Sequence, residues 1–220
     1  MPLILFGSGE FTNQVTEIDT YIIEKYRPKT IAILPTAAGQ ESDVKKWFEM
    51  AIEHYGKFNM KVVTIPVFNK ADANNEKLVE MIDDSDWIFL SGGSPSYLNQ
   101  TLSGSLLLNR ILEKYTSGTI LAGSSAGAMV FGKYIITQPF KVFFANSEAS
   151  FEPSIGLVDF VVFPHFNHLR KFQKIIKQII SKSPANLNNK WVGIDEDTAI
   201  LFDNHQQLIL GQGKVDLHNL

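Results

Sequence analysis

Ser125 stands at the centre of Gly123-Ser124-Ser125-Ala126-Gly127, directly after the apolar run Thr119-Ile120-Leu121-Ala122. The run reads as a buried strand, and Ala126-Gly127-Ala128-Met129-Val130-Phe131 as the start of a helix. A serine in G-x-S-x-G at such a strand-to-helix turn is a nucleophile elbow, whose sharp bend exposes the hydroxyl beyond the strand end. Small neighbours leave room for a substrate carbonyl, and the Ala126 N–H points to where negative charge develops. Ser125 is the expected nucleophile.

A serine hydroxyl attacks only when a base takes its proton, and that base is usually histidine. Of the five histidines, His54 lies in a polar helix pattern, His205 in a turn and His218 near the end of the chain. These three read as surface residues. His165 follows the buried-type run Phe160–Phe163 and a proline, at the edge where function is expected. Its competing reading is a satisfied histidine at a strand end; beside an elbow serine, the general base is preferred. His168 opens the basic helix start Leu169-Arg170-Lys171 and reads as a surface residue.

The base needs an acid to hold its tautomer and stabilise the imidazolium. Asp195, Glu196 and Asp197 follow the strand Trp191–Ile194 and are candidates, against the plainer reading of a solvated turn. Glu148, Glu152 and Asp159 lie between the serine and the histidine and compete. An oxyanion needs a second donor besides Ala126. Gly92-Gly93 is the expected source, Gly93 donating and Gly92 touching substrate, because glycine lets a backbone approach a ligand closely.

Other patterns are weak. Gly7-Ser8-Gly9 lacks the third glycine of a dinucleotide fingerprint, since Thr12 stands there, and no acid follows the second strand. His165-x-x-His168 without a clear carboxylate partner is a poor metal site. Neither a cofactor nor a metal is expected.

These residues need a scaffold. Strand candidates are Leu3–Phe6, Thr30–Leu34, Lys61–Ile65, Trp87–Leu90, Thr119–Ala122, Phe160–Phe163, Trp191–Ile194, Ala199–Phe202 and Gln207–Leu210. Helix candidates fall at 14–26, 42–55, 73–82 and 105–116. The βαβ succession predicts an α/β fold with a doubly wound, mostly parallel sheet covered by helices on both faces. Asp203-Asn204-His205-Gln206 reads as a hairpin turn, which adds antiparallel strands near the C-terminus. Ligands of such sheets bind beyond the carboxyl ends of the strands, so the loops carrying Gly7, Gly93, Ser125 and His165 should converge on one edge.

The 220 residues are 45% hydrophobic and 20% charged with a net charge of −3, which suits a single globular domain over 1–220. There is no basic excess for nucleic acid, and no apolar run approaches the roughly 18 residues of a membrane span. Met1–Gly7 reads as a first strand rather than a signal peptide, and the chain has no cysteine, so a cytoplasmic location is expected. No sequence feature specifies an oligomeric state.

Four pieces together resemble the dipeptidase E and cyanophycinase family of serine peptidases. They are Gly92-Gly93 with the following Tyr97-Leu98 helix, Gly123-Ser124-Ser125-Ala126-Gly127-Ala128, Pro164-His165-Phe166, and Gly193-Ile194-Asp195-Glu196-Asp197-Thr198-Ala199. The resemblance implies a class I glutamine amidotransferase-like, flavodoxin-like three-layer sandwich with serine in place of cysteine at the elbow. It also implies a Ser125–His165–Glu196 triad. Some family members use an acid 15 to 18 residues after the serine, but here Phe140 to Phe143 occupy that stretch without a carboxylate. A dipeptidase E-like substrate with an N-terminal aspartate would need a nearby cation, for which Arg170 or Lys171 is the candidate. The expected function is a serine hydrolase cleaving peptide or isopeptide bonds, aspartyl ones included, in a small peptide or amide substrate. Its alternatives are a non-catalytic ligand-binding or regulatory member of the fold and a small-molecule esterase or amidase.

Overall fold

The computed structural model describes residues 1–137, 139–144, 148–204 and 206–220. Its elements run β1 (Leu3–Phe6), α1 (Thr16–Tyr26), β2 (Thr30–Leu34), α2 (Lys45–Gly56), β3 (Lys61–Thr64), α3 (Glu76–Glu80) and β4 (Trp87–Leu90). Then come α4 (Pro95–Leu102), α5 (Leu106–Thr116), β5 (Ile120–Ser124), α6 (Ala126–Val130), β6 (Tyr134–Ile136), α7 (Pro139–Phe144) and β7 (Phe151–Pro153). The chain ends with β8 (Val161–Phe163), α8 (Phe166–Leu169), α9 (Gln173–Ser181), β9 (Trp191–Ile194), β10 (Thr198–Asp203), β11 (Gln206–Gly211) and β12 (Val215–His218).

A seven-stranded sheet has the order β11-β10-β1-β5-β4-β2-β3. Strands β1, β5, β4, β2 and β3 are parallel, while β10 and β11 add antiparallel at one edge. Strands β1, β2, β4 and β5 are buried on both faces, and their side chains alternate between two cores as a period of two requires, while the edge strand β3 is partly exposed. Leu3, Leu5, Leu34, Leu90 and Leu121 join one core with Leu98 of α4, Leu107 and Ile111 of α5, and Val130 of α6. Ile4, Phe6, Ile33, Phe89 and Ala122 join the other with Ile18 and Ile22 of α1 and Ala51 and Tyr55 of α2. The result is the three-layer α/β sandwich with antiparallel C-terminal strands that the sequence predicts.

Local chemistry explains where the helices nearest the site begin. Ser94 precedes α4 and accepts the Tyr97 N–H, with Pro95 in the first helical turn where it costs no hydrogen bond. Ser105 caps α5 in the same way by accepting the Leu108 N–H.

The expectation of a single sheet needs correction. Strands β8 and β9 do not enter the main sheet; they pair in parallel in a three-stranded sheet of order β12-β9-β8. The edge beside β1 is already taken by β10, whose Ala199 lies opposite Phe6. The smaller sheet has its own apolar cover, since Val161, Phe163 and Trp191 pack with Phe166, Ile176 and Ile180 of α8 and α9. A two-stranded β6-β7 ladder is hydrogen-bonded to neither sheet, although Ile136 of β6 packs with Val161 and Phe163 of β8.

His54 is also unlike its expected surface position. It is 1% exposed, and its Nε2 lies 2.7 Å from an Asp19 carboxylate oxygen that faces it from α1. The polar look of α2 misleads because one polar side chain has a buried partner 35 positions away. His218 is exposed and stacks on Trp191, with ring centroids 3.6 Å apart. His205 falls outside the described residues, although β10 and β11 pair on either side of it. No described helix is long and apolar enough to cross a membrane.

Candidate active site

Ser125 follows the last residue of β5 with φ 50° and ψ −111°, a backbone conformation that a non-glycine residue adopts only under constraint. Its own N–H donates to the Phe6 carbonyl of β1 at 3.2 Å, and its carbonyl accepts from Met129 in α6 at 3.0 Å. Bonds on both sides of the turn hold the strained serine in place.

The Ser125 hydroxyl is 3.0 Å from His165 Nε2. His165 lies between β8 and α8 in the left-handed region (φ 52°, ψ 36°), and its N–H donates to the Gly7 carbonyl at 3.2 Å. Its Nδ1 lies 2.7 Å from Glu196 Oε1. An ionised carboxylate can only accept, so the proton belongs on Nδ1 and leaves Nε2 free to receive the serine proton. The structure thus brings together Ser125, His165 and Glu196, which the chain separates by 40 and 31 positions.

Glu196 is held from more directions than the sequence suggested. Its second oxygen accepts from His168 Nε2 at 3.0 Å and from Asn167 Nδ2 at 3.3 Å, while its N–H donates to Asn167 Oδ1 at 3.2 Å. Partial burial pushes the carboxyl upward, but hydrogen bonds from His165, Asn167 and His168 outweigh it and hold Glu196 below its ordinary range. His168 is on the surface as expected, 62% exposed, yet its ring touches this acid.

The neighbouring acids do different work. Asp195 accepts from Arg170 at 2.8 Å and from the Lys214 N–H at 2.9 Å, while Asp197, whose N–H donates to Ser8, is pushed up by burial and by the Glu196 charge. The other competitors point elsewhere: Glu148 pairs with Lys182, Asp159 with Lys190, and Glu152 stands on β7 by a separate cavity.

Gly93 and Ala126 both border the cleft at Ser125. Ala126 opens α6, so its N–H has no intrahelical acceptor, and the Gly93 N–H has none among the described residues. Gly93 must be glycine here: φ is +136°, and an added Cβ would sit 2.5 Å from the Ala37 backbone.

Two of the expected substrate contacts have partners within the protein. The Gly92 N–H is already donated to Glu10 Oε1 at 2.8 Å, which makes it part of the loop's support. Arg170 does not border the cleft; its guanidinium pairs with Asp195 and with Asp216 of β12 and lies over the Phe166 ring.

Glu10 is the residue that sequence reasoning missed. It is 6% exposed, and while one oxygen accepts from Gly92, the other accepts the Ser124 hydroxyl. One buried carboxylate therefore ties the Gly93 loop to the residue before Ser125. Its only sequence signal is an acid directly after Gly7-Ser8-Gly9 at the functional edge. Among the described residues, no group of three or more His, Asp or Glu side chains is arranged to hold a metal ion.

The geometry is that of an α/β fold with a nucleophile elbow at the carboxyl edge of its sheet. The chain belongs to peptidase family S51, whose model matches residues 3–210. It is 28% identical over 191 residues to a cyanophycinase of Synechococcus elongatus, covering 85% of this chain and 58% of that protein. The chain thus spans less than two thirds of the length of such curated relatives. An uncharacterized peptidase of Listeria innocua is 26% identical over 220 residues, covering 96% of this chain and 99% of that one. Among solved structures, a peptidase from an acI-B1 Actinobacterium superposes with a TM-score of 0.79 at 29% identity, covering 98% of this chain and 89% of that one.

Proposed function

We propose that this protein is a serine peptidase that cleaves small peptides through an acyl-enzyme on Ser125. The observation that carries the reading is the unbroken relay from Ser125 Oγ to His165 Nε2 (3.0 Å) and from His165 Nδ1 to Glu196 (2.7 Å). Both lengths are within hydrogen-bond reach for a nucleophile, its base and the acid that orients the base.

Ser125 Oγ attacks the scissile carbonyl carbon as its proton passes to His165 Nε2. The carbonyl oxygen becomes an oxyanion held by the Gly93 and Ala126 N–H groups, while the Glu196 carboxylate stabilises the imidazolium. The C–N bond breaks, the amine takes the proton from Nε2 and leaves, and the acyl group stays as an ester on Ser125. Water then gives a proton to Nε2 and attacks the ester, and collapse returns the proton to Oγ with release of the carboxylic acid. Peptide and isopeptide bonds share this chemistry.

A fluorophosphonate probe tests the reading, because it reacts only with an activated serine. Wild type should be labelled on Ser125 and Ser125→Ala should not. Equal labelling of the two, or none of the wild type, would leave the fold without this activity and favour a non-catalytic binding role.

A further inference from the structure

The cleft at Ser125 has a volume of about 430 Å³, within the range of small-ligand sites. Beyond the reactive groups its walls are apolar: Met129 of α6, Ile136 of β6, Phe143 of α7, Phe163 of β8 and Leu169 of α8. Each of these side chains is at most 8% exposed. No lysine or arginine borders the cleft among the described residues, and positions 138–140 and 144–147 carry none in the sequence. Of the two cations that the sequence offers for substrate, Arg170 is paired with Asp195 and Asp216, and Lys171 does not border the cleft. A carboxylate seated against these walls would lose water and meet no lysine or arginine, His168 at the rim being the one titratable side chain on the cleft besides His165 among the described residues, whereas an apolar side chain gains from the same burial.

Ser125, Gly93 and Ala126 border the same space as the apolar walls, so a carbonyl with its carbon at Oγ and its oxygen at the two N–H groups has those walls within reach of its own side chain. His165, the proton donor to the leaving amine in this reading, borders the cleft with His168, and their side chains are 40% and 62% exposed. Charge is available next door: a second cavity shares Gly93 and Pro95 and carries Lys141 and Glu152.

We propose that the residue supplying the scissile carbonyl bears an apolar side chain of leucine, methionine or phenylalanine type, seated against Met129, Ile136, Phe143 and Phe163. This rests on the acyl-enzyme reading above and assigns the substrate class of that site. Aspartate in that position is disfavoured.

The test is kcat/KM on dipeptides with Leu, Met, Phe, Asp or Lys in the first position and a fixed second residue, followed by the reverse series. The apolar first residues are expected to exceed Asp by roughly 100-fold. Boronic acid analogues of leucine and aspartate, which add to an activated serine, should show the same order in binding to the wild type. A preference for Asp, an apolar preference confined to the second position, or binding of neither boronic acid would overturn the proposal. Lys141→Ala identifies one way to be wrong: Asp peptides that are preferred by the wild type and lost in this variant would mean that the neighbouring cavity supplies the cation. Fluorophosphonate labelling of Ser125 keeps the two readings separate. A labelled enzyme that prefers Asp loses only the side-chain assignment, whereas an unlabelled enzyme that cleaves nothing loses the mechanism.

Discussion

Glu10 Oε1 accepts the backbone N–H of Gly92 at 2.8 Å, across 82 positions of sequence and in a buried setting. The carboxylate belongs to the loop after β1 and the N–H to the loop after β4, so the bond sets the height of Gly93 above the sheet. The other Glu10 oxygen holds the Ser124 hydroxyl. Removing the carboxylate strands both donors, at about 1–3 kcal/mol for each one left buried and unpaired. Glu10→Ala should therefore lower the denaturation midpoint and cut kcat. Glu10→Gln keeps an acceptor for one donor and should recover most of the stability. Stability and kcat measured on both variants distinguish this from a purely structural role, in which activity would not fall beyond the loss of folded protein.

Gly93→Ala tests the oxyanion assignment. The new Cβ would lie 2.5 Å from the Ala37 backbone, and its nearest neighbours are all backbone atoms of the Ala37–Ala38 peptide, which leaves no flexible side chain to yield. The loop must shift and carry its N–H away. Loss of one such donor typically lowers kcat about 100-fold or more. The expected signature is a fall in kcat with KM little changed; an unchanged kcat would remove Gly93 from the mechanism.

Glu196 makes a prediction about acid stability. Its hydrogen bonds hold the folded-state carboxyl below its ordinary value of 4.5. A lowered folded-state value adds stability that is present above the unfolded value and lost as pH falls through the folded one. Wild type should thus lose stability relative to Glu196→Gln as pH drops below about 4.5, a window set by this shift. Chemical denaturation of both proteins across that range checks the sign, and a constant difference would contradict it.

The buried His54–Asp19 contact predicts a larger, purely structural effect. Burial pushes the Asp19 carboxyl up, against the lowering influence of His54 and of the Tyr55 hydroxyl. Truncating one partner of a buried pair typically costs about 3–5 kcal/mol, because the other is left without compensation. His54→Ala should lower stability by that order while the residual folded protein keeps its fluorophosphonate reactivity.

Arg170→Ala should separate structure from substrate recognition. The guanidinium ties Asp195 and Asp216 together and covers the Phe166 ring, so its removal should lower the melting temperature. The ratio of kcat/KM for acidic over neutral peptides should not move. A selective loss of acidic substrates would return Arg170 to the binding site.

Much of this arrangement was legible because it is local. The elbow at Ser125 announces itself through glycines around a serine after an apolar run, and β1, β2 and β4 through unbroken buried stretches of one period. Glu10 and His54 were not legible, since each owes its importance to a partner far along the chain and neither sits in a distinctive local pattern. The partners of Arg170 were hidden for a related reason: a cation after His165 looks unpaired until Asp216, on a late strand outside the sequence candidates, is placed beside it. The separate sheet of β8 and β9 was hidden because an apolar run shows that a strand is buried and leaves open which sheet buries it.

Gly7 gives that division a mechanical meaning. His165 and Glu196 follow neighbouring parallel strands of the small sheet, whereas Ser125 follows a strand of the large one. Gly7 sits at their junction: its N–H donates to Thr198 of β10 in the large sheet, its carbonyl accepts the His165 N–H, and the next carbonyl, of Ser8, accepts from Asp197. A Cβ on Gly7 would lie 2.0 Å from the Asp195 carbonyl oxygen. His165 and Glu196 are thus set by one sheet and Ser125 by the other, and the gap between them is gauged by a residue with no side chain.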